Sequence, residues 1–165
     1  MELSIVKATV NDIPSIQSIA QETWPITYGA ILTATQLDFM MDMMYSDSSL
    51  IQQIQGNQLF YVVTTANKTV AFFAIEHHYQ NEAVTRIHKI YLLPETQGKG
   101  IGKQLLDYMA TLAIEHDSKK LSLNVNRYNK ALHFYQKIGF TIIKEEDIEI
   151  GNGYLMEDYR MEKTI

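Results

Sequence analysis

The segment "YLLPETQGKGIGKQLL", residues 91–106, joins a strand-like run to a helix-like run through a glycine-rich turn. Pro94 stops the apolar run, and from Ile101 onward apolar residues recur at helical spacing. Glycine permits positive φ and close backbone approach, and the unpaired amides of a helix N-terminus attract anions. The turn therefore predicts a phosphate-binding site, built from three alternating glycines and two lysines: Gly98, Lys99, Gly100, Gly102 and Lys103.

Two common phosphate loops do not fit this turn. A Walker loop requires Ser or Thr after Gly-Lys, and here Gln104 follows Gly102 and Lys103; Gln97 also occupies the place of the loop's first glycine. The dinucleotide fingerprint G-x-G-x-x-G is missed by one residue. What remains is Q-x-x-G-x-G, from Gln97 to Gly102, which favours a pyrophosphate cradle. The alternative is a turn that needs glycine only for its backbone conformation.

The rest of the chain predicts a single α+β domain over residues 1–165. Strand-like and helix-like segments follow in the order β-α-α-β-β-β-α-β-α-β-β, with a hairpin through Ala66 and Asn67, a loop at Pro25 and Gly29, and a short helix over 127–139 that ends at Gly139. Strands with interspersed helices and a meander in the middle indicate a mixed-direction sheet.

Composition excludes several classes of function. The chain has no cysteine, so disulfides, a thiol nucleophile and a thiolate zinc site are absent. The formal net charge of −5 disfavours nucleic acid and suits a cationic substrate. No signal peptide and no membrane-length apolar stretch is evident, so we expect a soluble cytoplasmic protein without a membrane partner.

A second block, "LNVNRYNKALHFYQKIGF" (123–140), follows the glycine turn. Together the two blocks resemble the GNAT superfamily of acetyl-CoA-dependent N-acetyltransferases, and the likeness in element order covers nearly the whole chain. The N-terminal third and the C-terminal "DIEIGNGYLMEDYRME" look most like the PaiA-like branch, some of whose members acetylate polyamines. The matching positions of the second block are Leu123, Val125, Asn129, Ala131, Phe134, Tyr135, Gly139 and Phe140.

The resemblance implies a GNAT-type fold, with a mixed, mostly antiparallel sheet of about six to seven strands. Helices flank the sheet, which is splayed between its fourth and fifth strands. Acetyl-CoA is the implied co-substrate, with its arm along the backbone of residues 91–93, its pyrophosphate on the amides of 98–103, and Asn129 bonded to the arm. The implied coenzyme residues are Tyr91, Leu92, Leu93, Gln97, Gly98, Lys99, Gly100, Ile101, Gly102, Lys103, Asn129 and Tyr135.

The implied reaction is direct attack of an amine on the thioester in a ternary complex. A base must take the amine's proton, because an alkylamine with pKa near ~10 is about one part in a thousand neutral at pH 7. His88 is one candidate for this base, and Glu76, acting directly or through water, is the alternative. It also stays open whether His88 only pairs with a neighbouring side chain and takes no part in the reaction. The amide of Leu92 or Leu93 would stabilise the oxyanion, and Tyr135 would protonate the leaving thiolate.

Acceptor selection is expected from Trp24 and Tyr28 on the predicted loop, the second helix and the C-terminal hairpin. The acidic run at 145–149 is compatible with a polyamine-like primary amine. A peptide or protein acceptor and a non-catalytic acyl-CoA-binding module are the alternatives. No metal is expected, since His77 and His78 would point to opposite faces of a strand. A homodimer is compatible with the family.

Overall fold

The computed structural model describes residues 2–165, in which the chain forms seven strands and five helices. The strands are β1 (Ser4–Lys7), β2 (Leu59–Thr65), β3 (Lys68–Glu76), β4 (Val84–Leu92), β5 (Lys120–Asn126), β6 (Thr141–Gly151) and β7 (Tyr154–Thr164). The helices are α1 (Ile13–Tyr28), α2 (Ala34–Tyr45), α3 (Asp47–Gln55), α4 (Ile101–Glu115) and α5 (Ala131–Lys137). None of the helices within residues 2–165 has the length and apolar character needed to cross a membrane.

The strands form one sheet in the order β1-β2-β3-β4-β5-β7-β6. The pairs β1–β2, β2–β3, β5–β7 and β6–β7 are antiparallel. β4 and β5 are parallel, and their pairing runs from Val84↔Lys120 to Ile87↔Leu123. β4 then continues five residues further, to Leu92. The prediction of a mixed, mostly antiparallel sheet flanked by helices is confirmed.

The chain divides into two compact units. The first contains the chain up to Glu76 together with His88–Gly102, and its core includes Trp24, Phe60 and Phe72. The second contains His77–Ile87 and Lys103–Ile165, and its buried residues include Met109, Leu121, Phe140 and Met161. A single domain over residues 1–165 stays a prediction.

Local signals predicted the β2–β3 hairpin and the end of α5. Ala66 and Asn67 both have positive φ, 51° and 64°, as a two-residue hairpin turn requires. Gly139 has φ +107° just beyond α5, in the left-handed region that ends many helices. α5 begins later than predicted, at Ala131, because the side chains of Asn126 and Asn129 accept bonds from nearby amides and hold the preceding residues in turns.

The loop predicted at Pro25 is wrong, because α1 continues through this residue to Tyr28. Proline removes one helical N–H, but the amide of Gly29 donates to the Pro25 carbonyl at 2.9 Å and closes the last turn. Burial of Trp24 and Tyr28 holds this end of the helix in place. The structure also adds α3, which is largely polar. Ser46 caps its N-terminus, and the Ser46 side chain accepts from the Ser49 amide.

A lysine is buried in the first unit. Lys89 on β4 is 5% exposed; its Nζ donates to Gln58 Oε1 at 2.8 Å and lies 5.2 Å from the centre of the Phe60 ring. Burial lowers the pKa of Lys89 from 10.5 to about 7. The charged form is therefore disfavoured in the folded chain.

Replacing Lys89 with Met should remove a pH-dependent destabilisation. Between pH 7 and 10.5 the unfolded chain holds the lysine proton and the folded chain does not. Stability of the wild type therefore rises with pH in this window, by at most ~1.4 kcal/mol per pH unit from this group. In urea unfolding from pH 6 to 9, the free energy of unfolding of Lys89→Met should exceed that of the wild type by the largest amount at pH 6. Lys137→Met, at an exposed position, is the control; a constant difference between Lys89→Met and wild type across this range would contradict the prediction.

Candidate active site

The strand leading into the glycine turn is fixed by buried contacts. Leu93 is 3% exposed, and its amide donates to the carbonyl of Val70 at 2.8 Å. Pro94–Thr96 form a short 3-10 turn, in which the buried Thr96 hydroxyl donates to the Leu93 carbonyl at 2.6 Å. The chain therefore enters the glycine turn from a defined position.

The turn itself needs glycine for its backbone conformation. Gly98 and Gly100 each have φ +75°, and a Cβ added at either would meet nothing within 4 Å. Ile101, 1% exposed, then anchors the start of α4. The first amides of a helix have no acceptor within the helix, so the amides at 101–103 are available to an anion. The remaining turn residues predicted to bind the coenzyme, Gln97 and Lys99, are exposed.

The positive charge at the helix start is partly offset by an acidic neighbour. Lys103 donates to Asp107 Oδ2 at 2.8 Å, one helical turn further along α4, and both side chains are exposed. Exposed pairs of this kind contribute little to stability. Lys103 can therefore exchange Asp107 for a phosphate at small cost.

Glu76 and His88 meet in the first unit. Glu76 ends β3, His88 lies on β4, and His88 Nε2 is 2.9 Å from Glu76 Oε1. About one-fifth of each side chain is exposed, 21% and 22%. The sequence analysis gave these residues as alternative bases, and the structure places their side chains within hydrogen-bonding distance of each other. A carboxylate on one imidazole nitrogen stabilises the imidazolium that forms when the ring takes a proton.

Trp24 and Tyr28 lie on the last turns of α1, so their predicted placement on a loop is wrong. Trp24 is 1% exposed, and its ring centroid lies 4.6 Å from Tyr28, 5.6 Å from Tyr45 and 5.8 Å from Tyr91. The hydroxyls of Tyr28 and Tyr91 are 3.2 Å apart. Burial raises the pKa of Tyr45. The structure thus brings both predicted acceptor residues against Tyr91, a predicted coenzyme residue.

Tyr135 and Asn129 lie in the second unit. Tyr135 on α5 is 8% exposed and packs edge-on against Phe140, with centroids 5.7 Å apart. Asn129 Oδ1 accepts from the amide of Ala131 at 2.9 Å and so helps to begin α5. The catalytic role of Tyr135 and the coenzyme contact of Asn129 stay predictions.

The sequence analysis missed a group of buried polar residues on β5 and β7. Along "KLSLNVN" apolar and polar residues alternate, yet both faces of β5 are largely covered: Ser122 is 1% exposed and Asn126 4%. Asp158 on β7 is also buried. The signal in the sequence for these buried residues was the regular recurrence of polar residues along a strand that pairs with a neighbour on each side. In the part of the chain that the structure describes, no three His, Asp or Glu side chains are grouped as a metal site would require.

Comparison with known proteins gives consistent matches. Residues 32–163 match the model of the acetyltransferase (GNAT) domain. A spermidine N(1)-acetyltransferase of Thermoplasma acidophilum is 28% identical over 162 residues, covering 95% of this chain and 97% of that protein. A peptidyl-lysine N-acetyltransferase of Salmonella typhimurium is 29% identical, over 58% of this chain and 59% of its own length.

Solved structures share the fold. The PaiA N-acetyltransferase of Thermoplasma acidophilum, crystallised with coenzyme A, superposes with a TM-score of 0.83 at 24% identity, over all of both chains. A GCN5-related N-acetyltransferase from Rhodopseudomonas palustris gives 0.81 at 17% identity, over 100% of this chain and 99% of that one. At these identities the likeness shows the fold alone.

Proposed function

Since this chain belongs to the GNAT family of acetyltransferases, we propose that it transfers the acetyl group of acetyl-CoA to a primary amine of a small, polyamine-like acceptor. Membership makes the chain an N-acetyltransferase with acetyl-CoA as co-substrate. The observation that carries the proposal is the left-handed pair Gly98 and Gly100 immediately before α4. That turn presents backbone amides to an anion such as the coenzyme's diphosphate.

The coenzyme extends from this turn along the end of β4. The pyrophosphate binds the amides of 98–103, and the pantetheine arm follows the backbone of Tyr91, Leu92 and Leu93. Two facts support this placement: β4 runs five residues beyond its last pair with β5, and the glycine turn follows β4 after a short 3-10 turn at Pro94–Thr96. Backbone groups beyond the paired stretch can bond an extended ligand as they would another strand.

The acetyl transfer requires one proton to be removed from the amine and one proton to be donated to the leaving thiolate. The amine nitrogen attacks the thioester carbon, the C–S bond breaks, and the amine's proton passes to His88, whose imidazolium Glu76 stabilises. Tyr135 protonates the departing thiolate. Because the Leu93 amide already donates to Val70, and successive amides of a strand point to opposite sides, the Leu92 amide is the better oxyanion donor.

A polyamine-like acceptor agrees with the charge of the chain. The net charge is −5, and the residues 145–149 include four carboxylates. A cationic substrate is drawn to such a field. The spermidine acetyltransferase that matches nearly the full length adds support at 28% identity.

Release of thiol from acetyl-CoA, measured with a panel of amines, tests the proposed function. We expect turnover with spermidine and diamines to exceed turnover with neutral or acidic amino acids and with peptides. A preference for peptides would favour a protein acceptor. Tight coenzyme binding without transfer to any amine would identify a non-catalytic binding module and contradict the proposal.

Changing Tyr135 to Phe removes the proposed proton donor and keeps the ring. We expect turnover to fall about 100-fold, as loss of a general acid typically does, with little change in affinity for acetyl-CoA. Tyr128→Phe is the matched control, because Tyr128 is 63% exposed and precedes α5. Steady-state kinetics with equal turnover in Tyr135→Phe and wild type would remove Tyr135 from the mechanism.

Changing Gly100 to Ala tests the turn directly. A non-glycine residue at φ +75° costs roughly 1–2 kcal/mol, so the dissociation constant of acetyl-CoA should rise about 5- to 30-fold as the turn relaxes. Gly153→Ala in the β6–β7 turn is the control: Gly153 has φ +78° and equally open surroundings. Equal affinities in both variants and wild type would argue against a role of this turn in coenzyme binding.

A further inference from the structure

The side chain of Tyr91, near the end of β4, is held by aromatic neighbours on two other elements of the first unit. Its ring centroid lies 5.8 Å from that of Trp24 on α1 and 5.7 Å from that of Phe72 on β3. Both neighbours are fully buried, so neither ring can move aside without opening the core. We name Trp24, Tyr28, Tyr45, Phe72 and Tyr91 the aromatic cluster.

A hydrogen bond between two hydroxyls adds a fixed direction to this packing. The hydroxyl oxygens of Tyr28 and Tyr91 are 3.2 Å apart, and either can donate. Tyr28 is buried and Tyr91 is half-buried. Ring packing alone tolerates some sliding, whereas a hydrogen bond has a preferred distance and angle. The pair therefore ties the last turn of α1 to the last residues of β4.

The last turn of α1 is built so that Tyr28 reaches this position. The helix continues through Pro25, and the amide of Gly29 donates to the Pro25 carbonyl at 2.9 Å. A Cβ added at Gly29 would lie 2.3 Å from that same carbonyl oxygen. Any residue other than glycine would have to displace the backbone next to Tyr28. The sequence Tyr28-Gly29 is thus matched to the end of this helix.

The Tyr28–Tyr91 bond acts on the backbone along which we place the arm of the coenzyme. β4 pairs with β5 only as far as Ile87. On its other side β4 neighbours β3, where the Leu93 amide donates to the Val70 carbonyl at 2.8 Å. The position of residues 91–93 therefore depends on β3 and on the side chain of Tyr91. Backbone groups that bond an extended ligand must be held in place before it binds, because ordering them on binding lowers affinity.

We propose that Tyr28 is a positioning residue for the coenzyme. Through its hydroxyl bond to Tyr91, it holds the backbone of residues 91–93 in the conformation that binds the pantetheine arm. This role differs from the acceptor selection that the sequence predicted for Tyr28, since it acts on the acetyl donor. The inference rests on the proposed function.

Changing Tyr28 to Phe removes the hydroxyl and keeps the ring. With spermidine as the amine, we expect kcat/KM to fall about 3- to 10-fold for acetyl-CoA, the scale of one neutral hydrogen bond. Acetylpantetheine, which has the arm and lacks the diphosphate, should lose the same factor. Gly100→Ala should instead weaken acetyl-CoA alone. The KM for spermidine should stay at the wild-type value in Tyr28→Phe.

Tyr45→Phe is the matched control, because it removes a hydroxyl from the same aromatic cluster. Among the described residues, the Tyr45 hydroxyl has no hydrogen-bond partner of normal geometry, and the residue is buried. Burial raises the pKa of this hydroxyl, and the nearby Trp24 N–H acts against that rise. We expect kcat/KM of Tyr45→Phe to stay within about 2-fold of wild type for both acetyl donors.

Tyr91→Phe removes the same hydrogen bond from its other, half-buried end. It should give the same loss as Tyr28→Phe, and it also tests the bond if Tyr28→Phe folds poorly. Because both changes break one interaction, the double variant should lose no more than either single variant. Losses that multiply in the double variant would show independent roles and overturn the inference.

Three further outcomes are decisive. Wild-type kcat/KM for both acetyl donors in Tyr28→Phe and Tyr91→Phe would overturn the inference. A raised KM for spermidine with unchanged donor kinetics would make Tyr28 a contact of the acceptor and overturn it as well. Absence of thiol release from acetyl-CoA by the wild type, with spermidine or any other amine, would defeat the proposed function itself.

Discussion

Two glycines in the left-handed conformation, Gly98 and Gly100, shape the turn on which the proposed binding of the coenzyme depends. They connect the segment after β4 to α4 and leave the backbone of the turn without side chains at these two positions, and the first amides of α4 have no acceptor within the helix. Buried residues on either side, Leu93 and Ile101, keep that arrangement in place. A chain with a net charge of −5 repels anions at long range, so the proposed binding of a diphosphate depends on local amide dipoles and nearby lysines.

Features that depend on neighbours in sequence were predicted well. Strand-like apolar runs between turn residues indicated the strands, and their order indicated the mixed sheet. The positions of Asn67 and Gly139 indicated a turn and a helix end. The glycine turn could be predicted from the sequence for the same reason, because a positive φ and the start of a helix depend on neighbouring residues. These signals also carried the resemblance to the GNAT family, which the match over residues 32–163 confirms.

Features that depend on contacts across the fold were missed. Pro25 normally ends a helix, yet burial of Trp24 and Tyr28 carries α1 past it. Glu76 and His88 are twelve residues apart and were weighed as alternatives, because only the pairing of strands shows that they touch. Asp158 looked like one acid among several on the C-terminal strands. Its burial, and the Arg86–Asn124 bond that orients its one partner, appear only in three dimensions.

The most direct test of coenzyme binding at the glycine turn is equilibrium dialysis of the purified protein against acetyl-CoA, coenzyme A and pantetheine, which lacks the diphosphate. If the amides of 98–103 hold the diphosphate, both coenzymes bind saturably at one site per chain, and pantetheine binds at least about 100-fold more weakly because several charge-assisted hydrogen bonds are lost. Equal affinity for pantetheine and coenzyme A, or no binding of either coenzyme, would contradict the proposal that the glycine turn binds the diphosphate.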